Sequence, residues 1–316
     1  MKIKTTLAAI ATATILAGAS IANAETVSLG STKGGAVAQI AAAVASAVSS
    51  HSEIQMRPQK MSGSQQYVDA VDLGKVDFGV ANIMQYSMAK NGSGLSDGNV
   101  HENLRLVGVL VPFVTGIMVS NESGIKTLAD LKGKRIPTGY GSSPLFVAFW
   151  DAFLGSAGIS YDDVDGVTVA SLPKSWAAFK AGEVDAVIAG VGSGAVKEMN
   201  SVVKGGIRFI PLIASADVDA ALPGSTIVPV EPSEKLVGVI EPTNTQHYTQ
   251  TIFAGNHVDD ETVYNVVKTI FENTEELKAT SPLWRAYDPA NLARDYGLEY
   301  HPGAFKFFKE AGLIKN

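Results

Sequence analysis

Four short loops rich in glycine and serine have the residue types best suited to bind a small ligand. Each follows a predicted strand and precedes a predicted helix: Ser31-Thr32-Lys33-Gly34-Gly35, Ser62-Gly63-Ser64, Tyr140-Gly141-Ser142-Ser143 and Gly190-Val191-Gly192-Ser193-Gly194. A helix start carries unpaired backbone N–H groups and the positive end of the helix dipole, so such loops favour an anion. The alternative is that these serines and glycines only cap helices and form turns.

Lys33, Asn82 and two aromatic residues add candidate ligand contacts. Lys33 is a lone cation in a Gly/Ser loop and would form a charge-assisted hydrogen bond with a carboxylate, unless it is a solvated surface lysine. Asn82 ends a predicted strand and either contacts the ligand or caps the next helix. Tyr140 and Trp176 are candidates to line the same cleft, although aromatic residues at such spacing more often belong to a core.

No residues are arranged for catalysis or metal binding. The five histidines show no metal-ligand spacing, and we expect no serine in a nucleophile turn. The stretch AGVGSGA loosely matches a dinucleotide motif, but no acidic residue ends a clear strand about 20 residues later. We therefore expect no catalytic residue, no metal and no cofactor.

The elements that must position the loops alternate between strands and helices. Short β-branched runs such as TVSLG and VDFGVAN precede Ala- and Leu-rich segments such as AVAQIAAAVASAVSS, which is typical of an α/β protein. KRIPTG, GVTVASL and VDAVIAG repeat the plan further along the chain. In open α/β sheets, ligands bind outside the carboxyl ends of strands, so the loops are expected to share one cleft.

Two lobes are predicted from this repeated plan. The stretches LRLVGVL and TGIMVS flank Pro112, where we expect the chain to cross from the first lobe to the second. We place the first lobe at residues 25–115 and the second at 116–235. Residues 236–316 then return to the first lobe and end in amphipathic helices.

Residues 1–24 are predicted to be a secretory signal peptide. Lys2 and Lys4 precede an Ala-rich apolar stretch of about a dozen residues, and the triplet Ala22-Asn23-Ala24 suits cleavage before Glu25. The competing interpretation, a membrane anchor, needs about 20 unbroken apolar residues. We therefore expect a periplasmic protein that does not insert into the membrane.

Composition narrows the partners. The chain has no cysteine, so it has no lipid-anchored cysteine, disulfide or thiolate metal site. Its 46% hydrophobic residues suffice for two cores. The net charge of −6 argues against nucleic acid and anionic membranes, which attract concentrated Lys and Arg. A small molecule or a protein remains as partner.

Over essentially its whole mature length the chain resembles the TAXI subfamily of TRAP-transporter solute-binding proteins. The stretches that carry the resemblance are VSNESGIKTLADLKGKRI, DETVYNVVKTIFEN and YHPGAFKFFKEAGL. The resemblance implies a type II periplasmic-binding-protein fold, with two α/β lobes, a hinge and a ligand cleft. It also implies capture of a small organic acid and its delivery to an ion-gradient-driven TRAP membrane permease with fused small and large subunits. His301-Pro302-Gly303, although a family marker, is expected to be structural because proline suits a helix start.

The chain departs from the family pattern at positions expected to line the cleft. It has Ala36-Val37 for Thr-Tyr, Asn82-Ile83-Met84 for Gln-(Ser/Asn)-Asp, and Val111-Pro112-Phe113 for Tyr-Pro-Glu. Without these acidic residues an α-ammonium group would be poorly paired in a dry cleft, so we expect a carboxylate with an apolar body and no amine. A periplasmic sensing subunit that presents its closed form to a membrane kinase is the alternative function, and a secreted enzyme is a third.

Overall fold

A computed structural model describes residues 25–141 and 143–314. The predicted signal peptide, residues 1–24, and the predicted site residue Ser142 lie outside the described residues. Strands and helices alternate along the chain as the α/β pattern predicted. The predicted fold class is therefore confirmed.

Ten strands are described, eight in a mixed sheet and two in a small parallel pair. They are β1 (Glu25–Thr32), β2 (Ile54–Met61), β3 (Phe78–Asn82), β4 (Leu104–Ser120), β5 (Arg135–Gly139), β6 (Asp165–Val169), β7 (Ala186–Gly190), β8 (Ile207–Ile210), β9 (Thr226–Val230) and β10 (Thr243–Gly255).

Ten α-helices cover these strands, several of them starting directly after a strand. They are α1 (Gly35–His51), α2 (Ser64–Asp72), α3 (Ile83–Asn91), α4 (Leu145–Ser156), α5 (Leu172–Lys180), α6 (Gly194–Val202), α7 (Ala216–Ala221), α8 (Asp260–Glu272), α9 (Thr274–Thr280) and α10 (Pro302–Glu310).

Two long antiparallel strands, β4 and β10, connect the two halves of the sheet. The last part of β10 pairs with β3, and its first part, residues 243–247, pairs with β9. The first part of β4 pairs with β10, and residues 115–120 pair with β7 and β8. The strand order is therefore β2-β1-β3-β10-β4-β7, and both long strands run through both halves.

The sequence predicted two strands on either side of Pro112, but Pro112 lies inside the single strand β4. It is paired with Thr249, next to a register shift between Thr249 and Thr251 of β10. Proline is tolerated in a sheet at such irregularities because it needs no N–H partner there. One continuous strand thus replaces the two predicted around Pro112.

The cores lie on the two faces of the sheet. One buried cluster packs α1 and the C-terminal helices against the first strands, with Leu29, Val80, Ile252 and Trp284 among its members. A second cluster spans both halves and includes Tyr86 of α3 and Trp150 of α4. A third cluster fills the far half beneath α5 and α6.

His301 holds the start of α10, which confirms the structural role expected for it. Its Nδ1 accepts a hydrogen bond from Gly303 N at 3.3 Å, and its Nε2 lies 2.9 Å from Val258 O. Pro302 occupies the first helical turn. Gly303 is required because a Cβ there would lie 2.1 Å from Asp260 O.

Acid is expected to destabilise the fold through His301. The two hydrogen bonds need the neutral ring with its proton on Nε2, and burial lowers the pKa of His301. Since the folded-state pKa lies below the unfolded value of about 6.5, this stabilisation is complete above pH 6.5 and is lost as the pH falls toward the folded-state pKa. The cap hydrogen bond at stake contributes about 1 kcal/mol.

Urea unfolding between pH 7.5 and 5 checks this prediction. His301→Asn, which keeps a capping oxygen but does not titrate, should show a smaller decrease in the free energy of unfolding than the wild type. His51→Asn, at the exposed end of α1, is the control. An equal pH dependence in the wild type and His301→Asn would contradict the prediction.

Candidate functional site

Strands of the two halves end against the same stretch of β4. Asn82, the last residue of β3, lies opposite Gln250 of β10, and the neighbouring Thr249 lies opposite Pro112. From the other side β7 runs antiparallel to β4 and ends at Gly190 opposite Thr115. The carboxyl ends of β3 and β7 therefore face each other across residues 112–114.

Residues 112–114 are the accessible middle of a strand that is otherwise largely buried. Pro112 is exposed, and Phe113 and Val114 are half-buried, whereas the residues on either side are buried. Val191, just after β7, donates its N–H to Val114 O at 2.9 Å. We refer to the region around residues 112–114, where the ends of β3 and β7 face each other, as the cleft, and the four Gly/Ser loops are its predicted border.

An aromatic chain connects the loop after β5 to the crossing strands. Phe113 of β4 and Tyr248 of β10 are stacked, with ring centroids 5.7 Å apart. Tyr248 is also 6.0 Å from Phe149 of α4, which contacts Phe146 one turn earlier. Phe146 in turn lies 5.6 Å from Tyr140. The loop at residues 140–144 is thereby held near the cleft by an apolar wall.

Tyr140 is fully buried in this wall. Its hydroxyl accepts a hydrogen bond from Trp150 Nε1 at 3.3 Å, and burial raises the pKa of Tyr140. Its backbone has φ +43°, a left-handed conformation that costs a non-glycine residue about 1–2 kcal/mol. The side chain thus anchors the loop, and the neighbouring Gly141 and Ser143 are the parts that solvent reaches.

A row of polar side chains ends the α1 face of the sheet. On this face β1 presents Val27 and Leu29 and then Ser31, and β3 presents Phe78 and Val80 and then Asn82. The antiparallel β10 presents Ala254 and Ile252 and then Gln250. Side chains at alternate positions share a face, so Ser31, Asn82 and Gln250 lie on the α1 face, with Ser31 level with Val80, one alternate position before the paired Asn82 and Gln250. We call these three residues the polar row.

Two members of the polar row have unused hydrogen-bonding atoms. Asn82 Oδ1 accepts from Gln85 N at 2.9 Å and caps α3, while its Nδ2 makes no hydrogen bond with the described residues. Gln250 is 5% exposed, and its Oε1 is buried without a partner. Asn82 thus performs the capping role that the sequence left open, and a donor remains available on it.

The helix starts beside the polar row are open. The N-cap residues of α1 and α2 are Gly34 and Gly63, and neither helix start receives a side-chain hydrogen bond. Ser62, predicted as a possible N-cap, instead donates from its hydroxyl to Gln66 Oε1 at 2.9 Å. Free N–H groups at a helix start suit an anionic ligand.

Lys33 stands at the open start of α1. It is exposed and forms no ion pair or hydrogen bond with the described residues. Thr32 donates from its hydroxyl to Gly34 O at 2.8 Å and shapes the loop, and Gly35 has φ +79°, which favours glycine. Lys33 is thus free to reach a ligand at the cleft.

The loop after β7 and the nearby Trp176 serve mainly as a rigid border. Trp176 of α5 donates from Nε1 to Ile188 O at 2.9 Å and is half-buried. Ser193 caps α6 through Val196 N, and Gly192 has φ +76° beside Leu236. Gly190, Val191 and Gly192 therefore border the cleft with backbone atoms and small side chains.

A second recess on the surface does not suit an anion. A groove of about 440 Å³ lies between α3, α4 and α7 and is lined mostly by small residues. Asp151 and Asp217 also line it, and burial raises the pKa of Asp151. Two carboxyl groups would repel an anionic ligand, so the cleft is the better candidate site.

One stretch of the sequence matches the motif of a serine nucleophile, contrary to the expectation that no such motif is present. Gly94-Leu95-Ser96-Asp97-Gly98 matches the Gly-x-Ser-x-Gly spacing of hydrolase nucleophiles. Here Ser96 is buried in a 3₁₀ turn after α3, not between a strand and a helix. The nearby His101 has both ring nitrogens next to acceptors, Asp69 Oδ1 and Ala89 O. Both ring nitrogens are therefore engaged by groups other than Ser96.

Within residues 25–141 and 143–314, no group of three His, Cys, Asp or Glu residues comes together to hold a metal ion. In the same part of the chain, none of the helices has the length and apolar character required to cross a bilayer.

This arrangement defines the class of the protein. Two α/β halves joined by two crossing strands, with strand ends and helix starts facing a shared cleft, form the periplasmic-binding-protein fold. The chain belongs to the NMT1-like family, whose model matches residues 24–312.

Solved structures agree with this fold at low sequence identity. PhnD1 from Prochlorococcus marinus in complex with methylphosphonate has a TM-score of 0.58 and 11% identity, with 92% of this chain and 100% of that chain covered. A TctC solute-binding protein from Polaromonas has a TM-score of 0.55 and 16% identity, with 86% of this chain and 96% of that chain covered. The periplasmic aliphatic sulphonate binding protein SsuA from Escherichia coli has a TM-score of 0.51 and 17% identity, with 92% of this chain and 88% of that chain covered. Two of these structures are described as binding proteins, and the third is a complex with methylphosphonate.

Two substitutions of Asn82 distinguish the helix-capping role of its Oδ1 from the role of its unused Nδ2 donor. Asn82→Ala should lower the free energy of unfolding by about 1 kcal/mol, because it removes the cap of α3. Asn82→Asp keeps a capping oxygen and should stay within about 0.5 kcal/mol of the wild type, although it loses the Nδ2 donor. Urea unfolding at pH 7.5 measures both, and Ser193→Ala at the start of α6 is the matched cap deletion. Equal losses for Asn82→Ala and Asn82→Asp would contradict the capping assignment.

Proposed function

We propose that the protein is a periplasmic solute-binding protein that captures a small carboxylate and delivers it to a TRAP-type membrane permease. The observation that carries this proposal is the open start of α1 beside Lys33 and the polar row. It combines backbone N–H donors, a cation and neutral polar side chains at the edge of a cleft between two halves.

An anion is the ligand that this edge favours. The first N–H groups of the 17-residue helix α1 lack a side-chain cap, and the helix dipole adds positive potential there. Lys33 can supply a charge-assisted hydrogen bond. None of the residues named above as bordering the cleft is acidic. A carboxylate fits this environment, whereas an ammonium group would find no counter-charge among them.

The remainder of the ligand should be apolar. Phe113 and Tyr248 form an aromatic wall in the middle of the cleft, and Val37, in the first turn of α1, packs against the same two buried clusters as Phe113. Two proteins of similar fold are described with an aliphatic sulphonate and with methylphosphonate, each an anion with a small apolar body. A carboxylate analogue of such ligands is the proposed class, and amino acids are disfavoured.

The hinge is proposed to lie where β4 and β10 cross between the halves. We assign the first lobe to residues 25–115, the second to 116–235 and the return to 236–316. A ligand that contacts both lobes binds the closed form better and shifts the population toward it. The permease would recognise that closed form.

The permease class and the export of the chain follow from sequence features. The resemblance to TAXI proteins supports a TRAP permease, and the leader at residues 1–24 supports a periplasmic location. The alternative function, a sensing subunit for a membrane kinase, would use the same clamshell.

Lys33→Ala should weaken carboxylate binding by about ten- to a hundredfold, since a hydrogen bond between charged groups is lost. A thermal-shift screen of refolded mature protein against organic acids, amino acids and neutral metabolites identifies the ligand, because binding to the folded state raises the Tm. Calorimetry then gives Kd for the wild type, Lys33→Ala and the control Lys204→Ala, whose side chain is 89% exposed. A shift with amino acids alone would contradict the ligand class.

Uptake by intact cells separates transport from sensing. Deletion of the gene should abolish uptake of the labelled acid, and collapse of the ion gradient should abolish it in the parent strain while ATP depletion at constant gradient does not. Uptake driven by ATP would replace the TRAP assignment with an ABC permease. Normal uptake in the deletion strain, with loss of a transcriptional response to the acid, would favour the sensing subunit.

A further inference from the structure

The unpartnered amide of Gln250 is a feature that carboxylate binding at α1 does not use. Gln250 is 5% exposed, and its Oε1 has no hydrogen-bond partner. A buried polar atom without a partner is costly, so a ligand or water that donates a hydrogen bond to Oε1 would be favoured at this position.

The position of Gln250 points to the cleft. It lies directly opposite Asn82, and opposite residues of an antiparallel pair have their Cβ atoms about 4.5–5.5 Å apart on one face. Val80 and Ile252, the next residues on that face, pack in the cluster beneath α1. Strand β1, which pairs with β3 at Leu29 and Gly30, ends at Thr32, so the open start of α1 follows the strand next to the one that carries Asn82. The two amides and the open helix start therefore share one edge.

The cap of α3 fixes the chemistry of the Asn82 side. Because Oδ1 accepts from Gln85 N at 2.9 Å, the amide orientation is determined, and Nδ2 is the atom left to donate. In the orientation that the structure gives the Gln250 amide, Oε1 is the atom left to accept. One donor and one acceptor side by side match a hydroxyl group, which accepts one hydrogen bond and donates another.

We propose that Asn82 and Gln250 together bind a hydroxyl group of the ligand, so that the captured solute is a hydroxy acid. This inference rests on the proposed function, since the carboxylate of the same molecule would occupy the start of α1 near Lys33. An ammonium group would satisfy Gln250 but would leave Asn82 Nδ2 without an acceptor. A ketone would satisfy Asn82 but leave Gln250 Oε1 buried and unpaired.

Matched acids test the proposal. Calorimetry compares hydroxy acids, with the hydroxyl at successive carbons, against the deoxy and keto acids of the same chain length. The best hydroxy acid should bind about ten- to a hundredfold more tightly than its deoxy counterpart, because the deoxy acid leaves both amides unpaired. Gln250→Leu should reduce that ratio to about threefold or less, mainly by weakening the hydroxy acid.

Controls keep the outcomes distinct. Gln55→Leu changes an exposed glutamine of β2 far from the cleft and should preserve the ratio. Gln250→Met is a second apolar variant if Gln250→Leu folds poorly, and thermal unfolding checks each protein. Three results would overturn this inference alone, provided that carboxylates still bind. They are no preference for the hydroxy acid, a preference for the keto acid, and a hydroxy-to-deoxy affinity ratio that is unchanged in Gln250→Leu and Gln250→Met. Absence of binding by every carboxylate overturns the proposed function instead.

Discussion

The pairing of β4 with β10 is the constraint on which the rest of the structure depends. The two strands are paired from Leu104 with Gly255 to Thr115 with Gln246. Strand β10 also pairs with β3 of the first half and β9 of the second, and β4 also pairs with β7 and β8 of the second half. Because their backbone groups are satisfied by each other, the chain can pass twice through the middle of the molecule without leaving buried N–H and C=O groups unpaired. The loops on either side are positioned by this shared ladder.

The helix starts around the cleft also differ in whether a side chain hydrogen-bonds to their free N–H groups. At α3 and α6 a side chain satisfies the helix start, whereas at α1 and α2 the N-cap residue is glycine and no side chain does so. A loop that needs close approach of a ligand to the backbone benefits from glycine, because no Cβ blocks access to the N–H groups. Under the proposed function, the open starts of α1 and α2 would bind the ligand, and the capped starts of α3 and α6 would support the border of the cleft.

The sequence predicted those parts that depend on local patterns. The strand, loop and helix order and the structural role of His301 follow from residue types at short spacing. Strand β10 was missed because TNTQHYTQ is polar and lacks a hydrophobic alternation, although Thr245, Gln246 and Thr251 are fully buried. Gln250 was missed with it, and so was the stacking of Phe113 on Tyr248, since both depend on pairing between residues far apart in the chain. The signal for Gln250 existed only as a polar residue before an apolar run, which is too common to single it out.

Under the proposed function, the same long-range pairing would couple ligand binding to closure of the two halves. In this arrangement Phe149 of the second half contacts Tyr248, and Gln250 two residues further along β10 is buried with Oε1 unpaired. An unpaired buried amide costs about 1–3 kcal/mol, so an empty closed form bears a penalty that water removes in an open one. A ligand that supplies the missing hydrogen bond removes the penalty only in the closed form. It thereby gains the differential affinity that a shift in population requires, and ligands lacking that group close the halves less completely.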